Sequence, residues 1–200
     1  MSITSTDAPA IIGPNAITRM AEALGTLMGD SLRRDIFASA RLSHYLAAPP
    51  TRMIPESEVV RLHRAVIDTL GETRAAVVSR EAGRLTGDYL LANRIPPMAQ
   101  RVLRLLPVAL AARLLVAAIA RHAWTFAGAG EFTYEFSPDL NLRLKGSPIC
   151  KDLSTQEPAC AYFAATFERV FGAMLGPTLR VTEKQCEATG ASACVFEVRW

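Results

Sequence analysis

The stretch EKQCEATGASAC, residues 183–194, holds the side chains best suited to chemistry: two thiols around Gly190 and the carboxylate of Glu183. A hairpin folded symmetrically about Gly190 sets Cys186 opposite Cys194, and opposed β carbons in a strand pair lie roughly 4.5–5.5 Å apart. Glu183 stands three positions before Cys186, so a flat strand points it to the other face. It reaches the thiols only if the strand twists or bulges. Cys160 heads an apolar helical stripe with Phe163, Phe167, Phe171 and Met174, which directs it toward the same sheet. Three sulfurs and a carboxylate supply the four ligands of a closed tetrahedral metal site. Two other readings stay open on the residues alone: a cross-strand disulfide, which a reducing compartment disfavours, and plain buried thiols acting as small hydrophobes. The spacing E-x2-C-x7-C is not a paired CxxC arrangement.

A second set lies in HAWTFAGAGEFTYEF, residues 122–136. His122, Trp124, Phe126, Phe132, Tyr134 and Phe136 flank Gly128 and Gly130, which allow close approach to the backbone. Such a set suits a large, flat, apolar ligand, with aromatic walls, His122 as an axial ligand to a central metal and Arg121 near a carboxylate edge. The plainer reading makes the strand aromatics core residues and leaves His122 hydrogen-bonded or half exposed at a helix end. His44 and His63 lie on arginine-bearing helices and are expected at the surface.

The elements that must position these residues fall into two styles. Ala16–Leu27, Leu32–Ala48, the stretch PESEVVRLHRAVIDTLG (Pro55–Gly71) and Glu72–Asn93 read as helices, with PPTRMIP as a break, Pro55 at a first turn and Gly71 as a stop. An apolar helical region follows Pro97 and runs to about Trp124. The pattern then changes to alternation: Phe132–Phe136 and Asn141–Lys145 form a hairpin. Ser154 and Glu157 have capping-box spacing ahead of a helix that Gly176–Pro177 closes, and residues 178–188 and 193–200 give two final strands. Helices followed by strands at short spacing make an α+β fold with an antiparallel sheet. We expect one domain over residues 1–200, with an N-terminal helical extension over about 1–52 that could serve dimerisation and a ligand- and metal-binding core over about 125–200.

The tail carries a resemblance. E-x2-C-x-A-x-G-x3-C-x-F, Glu183 to Phe196, together with NLRLKGSPIC before the last helix, resembles the ending of the 4-vinyl reductase domain family. That family includes the sensor domains of phenol-responsive bacterial regulators and is similar in fold to subunits of the TRAPP vesicle-tethering complex. The resemblance implies a structural zinc held by a helix cysteine, a glutamate and two further cysteines, which fall here on Cys160, Glu183, Cys186 and Cys194. Over the whole chain it points to the bacteriochlorophyll-biosynthesis branch of the family. It implies a homodimer, a porphyrin-type ligand such as a vinyl-bearing Mg-porphyrin or protochlorophyllide, and the enzymes of that pathway as partners.

The rest of the sequence narrows the function. Reduction of a vinyl group needs an electron source, yet Gly128-Ala129-Gly130 lacks the third glycine of a dinucleotide fingerprint, with Thr133 in its place. No cluster motif, P-loop or G-x-S-x-G elbow is present. A tetrapyrrole-binding accessory protein is therefore the first expectation, a 4-vinyl (8-vinyl) reductase the second and a ligand-free adaptor module the third. A net charge of +3 gives no nucleic-acid footprint. The start has neither the basic region nor the apolar run of an export signal, so a cytoplasmic protein is expected. Leu105–Ala120 is too short to span a bilayer and carries Arg113, which suits a buried helix, a partner face or peripheral membrane contact.

Overall fold

A computed structural model describes residues 10–200; the first nine residues of the expected extension lie outside the described residues. The elements run β1 (Ile11–Ile12), α1 (Asn15–Met28), α2 (Asp30–Ser39), α3 (His44–Ala47), β2 (Ile54–Pro55), α4 (Glu56–Leu70), α5 (Glu72–Asn93), α6 (Pro97–Leu105), α7 (Val108–Arg121), β3 (Glu131–Phe136), β4 (Leu140–Lys145), α8 (Ala161–Leu175), β5 (Arg180–Gln185) and β6 (Cys194–Arg199). Strands β3 to β6 form one antiparallel sheet in the order β3-β4-β6-β5, and the α+β class holds. Alternation sorts its faces. Leu140, Leu142 and Leu144 of β4 and Cys194, Phe196 and Val198 of β6 point inward, while Arg143, Lys145 and Arg199 face out.

Helix α8 is the centre. Its buried residues include Tyr162, Ala164, Ala165, Thr166, Phe167, Val170 and Phe171, which together cover its circumference except at the exposed Arg169. A helix apolar nearly all round must be covered nearly all round. The sheet covers one side and α5 the other, with α1 packed behind α5. The α5–α8 approach is close because α5 presents glycine at the crossing. A β carbon on Gly83 would collide with the Tyr162 carbonyl, and one on Gly87 would sit 2.6 Å from the Arg169 Cβ. In that gap Thr166 Oγ1 donates to the Gly83 carbonyl at 3.0 Å, and the Tyr162 and Thr86 hydroxyls lie 2.9 Å apart.

Several expected boundaries move, each for a local reason. The helix expected over Leu32–Ala48 is two helices, because Arg41 takes a left-handed conformation at φ 59°. The apolar region after Pro97 is likewise two helices, with Pro107 capping the second. Helix α8 starts at Ala161 and no capping box forms. The Gln156 and Glu157 N–H groups donate to the Glu72 carboxylate, and the Ala159 and Cys160 N–H groups donate to Cys186 Sγ and Glu183. Residues 10–48 are built into the common core through Ile17, Met20, Leu24, Ile36 and Phe37.

His63 is also not where expected. It is buried at 2% exposure, 5.9 Å edge-on to the Tyr162 ring, and its Nε2 has no partner. His44 is exposed, as expected.

Two outcomes follow from this packing. Gly83→Ala should destabilise the fold by about 2–4 kcal/mol, since backbone on both sides of the crossing must separate; a denaturant midpoint measures it. Burial pushes the His63 pKa down to about 4, below its ordinary value. The folded chain therefore refuses a proton that the unfolded chain accepts. The associated stability is complete above about pH 6.5 and is lost as pH falls toward 4, by about 3 kcal/mol in total. His63→Leu should flatten the stability profile across that window, read by chemical denaturation at a series of pH values.

Candidate metal centre

The four sulfurs converge from four local structures. Cys150 sits in the turn after β4, where its N–H donates to the Ser147 carbonyl at 3.0 Å. Cys160 is the residue before α8, Cys186 follows the end of β5, and Cys194 opens β6. All four are buried, and their Sγ atoms lie within 4.8 Å of one another. Cys150 is central: its Sγ is 3.2 Å from Cys160 Sγ and 3.5 Å from each of Cys186 and Cys194, and Cys160 is 3.4 Å from Cys194. A tetrahedron of sulfurs around zinc at about 2.3 Å has edges of about 3.8 Å. The cluster is therefore the right size to close on a soft dication with small rearrangement.

Cys186 and Cys194 fall opposite each other one step beyond the last ladder pair, Gln185↔Val195, as a hairpin symmetric about Gly190 requires, just past the end of β5. The ladder partner of Cys194 is Leu144 on β4. A short 3-10 turn over Glu187–Thr189 folds the two together, and the Glu187 N–H points at Cys194 Sγ at 3.4 Å. The bulge that Glu183 requires is present: the β5–β6 register shifts between Glu183 and Gln185. Glu183 thus reaches the cluster's rim, where Oε2 accepts the Cys160 N–H at 3.0 Å and Oε1 is buried without a partner.

Sequence reasoning missed Cys150 as a member of the set. Its signal was its place in NLRLKGSPIC, but spacing alone gave no reason to fold that turn onto the hairpin. The fastening is Glu187, whose carboxylate accepts the Gly146 and Ser147 N–H groups at 2.7 Å each. Gly146 allows the turn through its positive φ of 70°.

Electrostatics favour a cation. Burial raises the Cys160 thiol pKa well above its ordinary value. Cys186 is shifted the other way by hydrogen bonds, first from Cys150, and with the help of the Ala159 N–H. Burial, then the charge on Cys186, pushes Glu183 up to about 9. Burial thus works against charge on Cys160 and Glu183, while hydrogen bonds favour it on Cys186. A dication removes the penalty on the remaining thiolates and releases their protons.

The aromatic segment is not gathered into one cavity. Phe126 and Phe132 are 5.3 Å apart and interlock with Phe163 and Phe167, which makes them core residues. Trp124 is 59% exposed, and Tyr134 is exposed beside Phe136 at 6.3 Å. The Arg113 guanidinium lies 4.6 Å over the Phe136 ring. His122 is exposed at the end of α7, its Nδ1 2.9 Å from the Ala118 carbonyl oxygen. A groove of about 370 Å³ lies elsewhere, between α5, α8 and β5, with Val77, Arg80, Ala161 and Thr182 among its lining.

The 4-vinyl reductase domain family model matches residues 140–200, which contain all four cysteines and Glu183. The chain is 43% identical over 196 residues to the bacteriochlorophyll synthase 23 kDa chain of Cereibacter sphaeroides, covering 96% of this chain and 94% of that protein. It is 39% identical over 186 residues to the protein of the same name from Rhodobacter capsulatus, covering 92% and 85%. In fold it resembles an Fe(II) unliganded H-NOX protein mutant from K. algicida, with a TM-score of 0.62, 11% identity and coverage of 94% and 96%.

Four buried sulfurs this close are expected to take up a soft dication as a set. Cys150→Ser should then lose most of the bound metal, as Cys194→Ser does, whereas Glu183→Gln should retain it. Elemental analysis of protein purified without chelator reads the difference, and the reverse ranking would give the fourth position to Glu183.

Proposed function

The chain belongs to the family of the bacteriochlorophyll synthase 23 kDa chain, and from that premise we propose that it is an accessory protein of bacteriochlorophyll synthesis that binds a tetrapyrrole precursor and presents it to the pathway's enzymes. The observation that carries this reading is identity of 43% across nearly the whole chain, which makes the likeness one of the entire protein and not of a shared module. In this reading the ligand is a vinyl-bearing Mg-porphyrin or protochlorophyllide, and the protein acts in the cytoplasm as a homodimer.

The surface that suits such a ligand is the outer end of β3. Tyr134 and Phe136 offer exposed or half-exposed ring faces there, Trp124 offers a further exposed ring on the turn after α7, and Arg113 beside Phe136 offers a cation to a propionate edge. Phe126 and Phe132 support this surface from the core. His122 is free on one nitrogen and accessible, as an axial ligand must be.

The metal in this reading is zinc, and its role is structural. A full set of four protein donors leaves no open position for water or substrate, and zinc carries no redox chemistry. It joins the β4 turn, the start of α8 and the last hairpin at one point, so its removal loosens the part of the chain that supports the ring surface. Chelation should lower Tm by several degrees and restore it on addition of zinc, measured by calorimetry.

The ligand is tested by titrating pure protein with divinyl protochlorophyllide and following absorption and fluorescence. A saturable spectral shift at micromolar concentration is expected, weakened about tenfold by the double change Trp124→Ala and Tyr134→Ala. An unchanged spectrum would remove the reading. Conversion to the monovinyl pigment on addition of a reductant would replace it with a reductase.

A further inference from the structure

The arginines of this protein differ in the acids available to them. Among the described residues Arg19 pairs with Glu22, Arg33 with Asp30, Arg61 with Glu58, Arg84 with Glu81 and Asp88, Arg169 with Asp88, and Arg199 with Asp139 and Glu197, while others such as Arg34, Arg74, Arg80, Arg143 and Arg180 are in no pair. Between Asp88 and Glu131 the sequence contains no acidic residue at all, yet it carries Arg94, Arg101, Arg104, Arg113 and Arg121. All five are exposed, and among the described residues none is ion-paired.

The same segment is where apolar side chains are left in solvent. Among the described residues, six of the eleven large hydrophobic residues that are exposed are here: Met98, Val102, Leu105, Leu110, Leu114 and Trp124. A cluster of that share is not the scatter expected of an ordinary surface. Met98, Val102 and Leu105 recur at helical spacing along one face of α6, and Leu110 and Leu114 do so on α7. Helix α6 has no buried residue, and Leu105 at its end is 86% exposed. Pro107 divides the segment into two short helices, and among the described residues no helix is long and apolar enough to cross a membrane.

We propose that the α6–α7 hairpin is a docking surface for an anionic lipid bilayer, on which the protein lies without crossing it. The apolar ridge enters the boundary between headgroups and acyl chains, and the unpaired arginines rest on lipid phosphates. Trp124, at the far end of α7, has the amphipathic ring that favours that boundary. Charge selects this occupant over a second copy of the chain. A two-fold interface through this face would set the same five arginines against themselves with no carboxylate to pair them. A bilayer rich in phosphate supplies the missing counter-charge.

The test is flotation of the full chain with vesicles of phosphatidylcholine alone or mixed with phosphatidylglycerol, at low and high salt. Binding is expected only with the anionic lipid and is expected to fall with salt. Leu105→Glu should abolish it, and the pair Arg101→Gln and Arg121→Gln should weaken partitioning by about tenfold or more. These side chains are exposed, so the variants should keep the parent circular dichroism, and Leu27→Glu on α1 should bind as the parent does. Equal binding to both vesicle types, no binding to either, or insensitivity to Leu105→Glu would overturn the proposal. So would a dimer in sedimentation that Leu105→Glu splits, which would assign the face to a second copy. The readout is independent of pigment, so it stands or falls apart from the tetrapyrrole reading.

Discussion

Helix α8 is buried on almost every side, Arg169 being its one exposed residue, and the architecture follows from the need to cover it. The sheet takes one side through Leu142, Phe196 and Val198, and α5 takes the other by giving up side chains at Gly83 and Gly87. Those glycines cost helix propensity. What they allow is a backbone-level approach in which Thr166 and Tyr162 satisfy their hydroxyls inside the contact, where an unpaired polar group would be costly. The same demand draws α1 inward behind α5, which is why the first helices belong to the core.

The approach to α8 presents a different problem, since residues 156–160, outside any helix or strand, must find partners for their backbone N–H groups. Here these come from distant elements: Glu72 from α5, Cys186 from the hairpin and Glu183 from the β5 bulge. That capture fixes where the helix can begin and carries Cys160 onto the other thiols. Helix start and sulfur cluster are thus one construction. Each depends on Glu187 holding the β4 turn, and so Cys150, against the last hairpin. Burying thiols with a carboxyl beside them is unfavourable in the charged forms, and a bound dication turns that penalty into binding energy.

The surface divides by charge in a way the modest net charge of +3 conceals. Where acids and arginines alternate along α1, α2 and α5, neighbours at helical spacing neutralise each other. From Arg94 to Arg121 they cannot, because no acid is within the segment. The rings of Tyr134 and Phe136 adjoin that region through Arg113, which lies over Phe136. A hydrophobic pigment and a lipid surface would therefore be met on neighbouring parts of the molecule.

The sequence alone determined the order and type of most elements, since periodicity is local and each of α1, α4, α5 and β3 to β6 shows its own. It also placed Cys160 at the head of the apolar stripe that α8 turns to the sheet, and the tail motif marked Glu183, Cys186 and Cys194. Tertiary structure decided what depends on contacts between distant segments. Cys150 joined the sulfurs because Glu187, far along the chain, anchors its turn. His63 went inside because the helices pack over it, although its neighbours on α4 are arginines. The aromatic run divided, with Phe126 and Phe132 packed against Phe167 of α8 and Trp124 outside on the Ala123–Thr125 turn, because which residues of a turn or a strand face a neighbouring layer depends on where that layer lies.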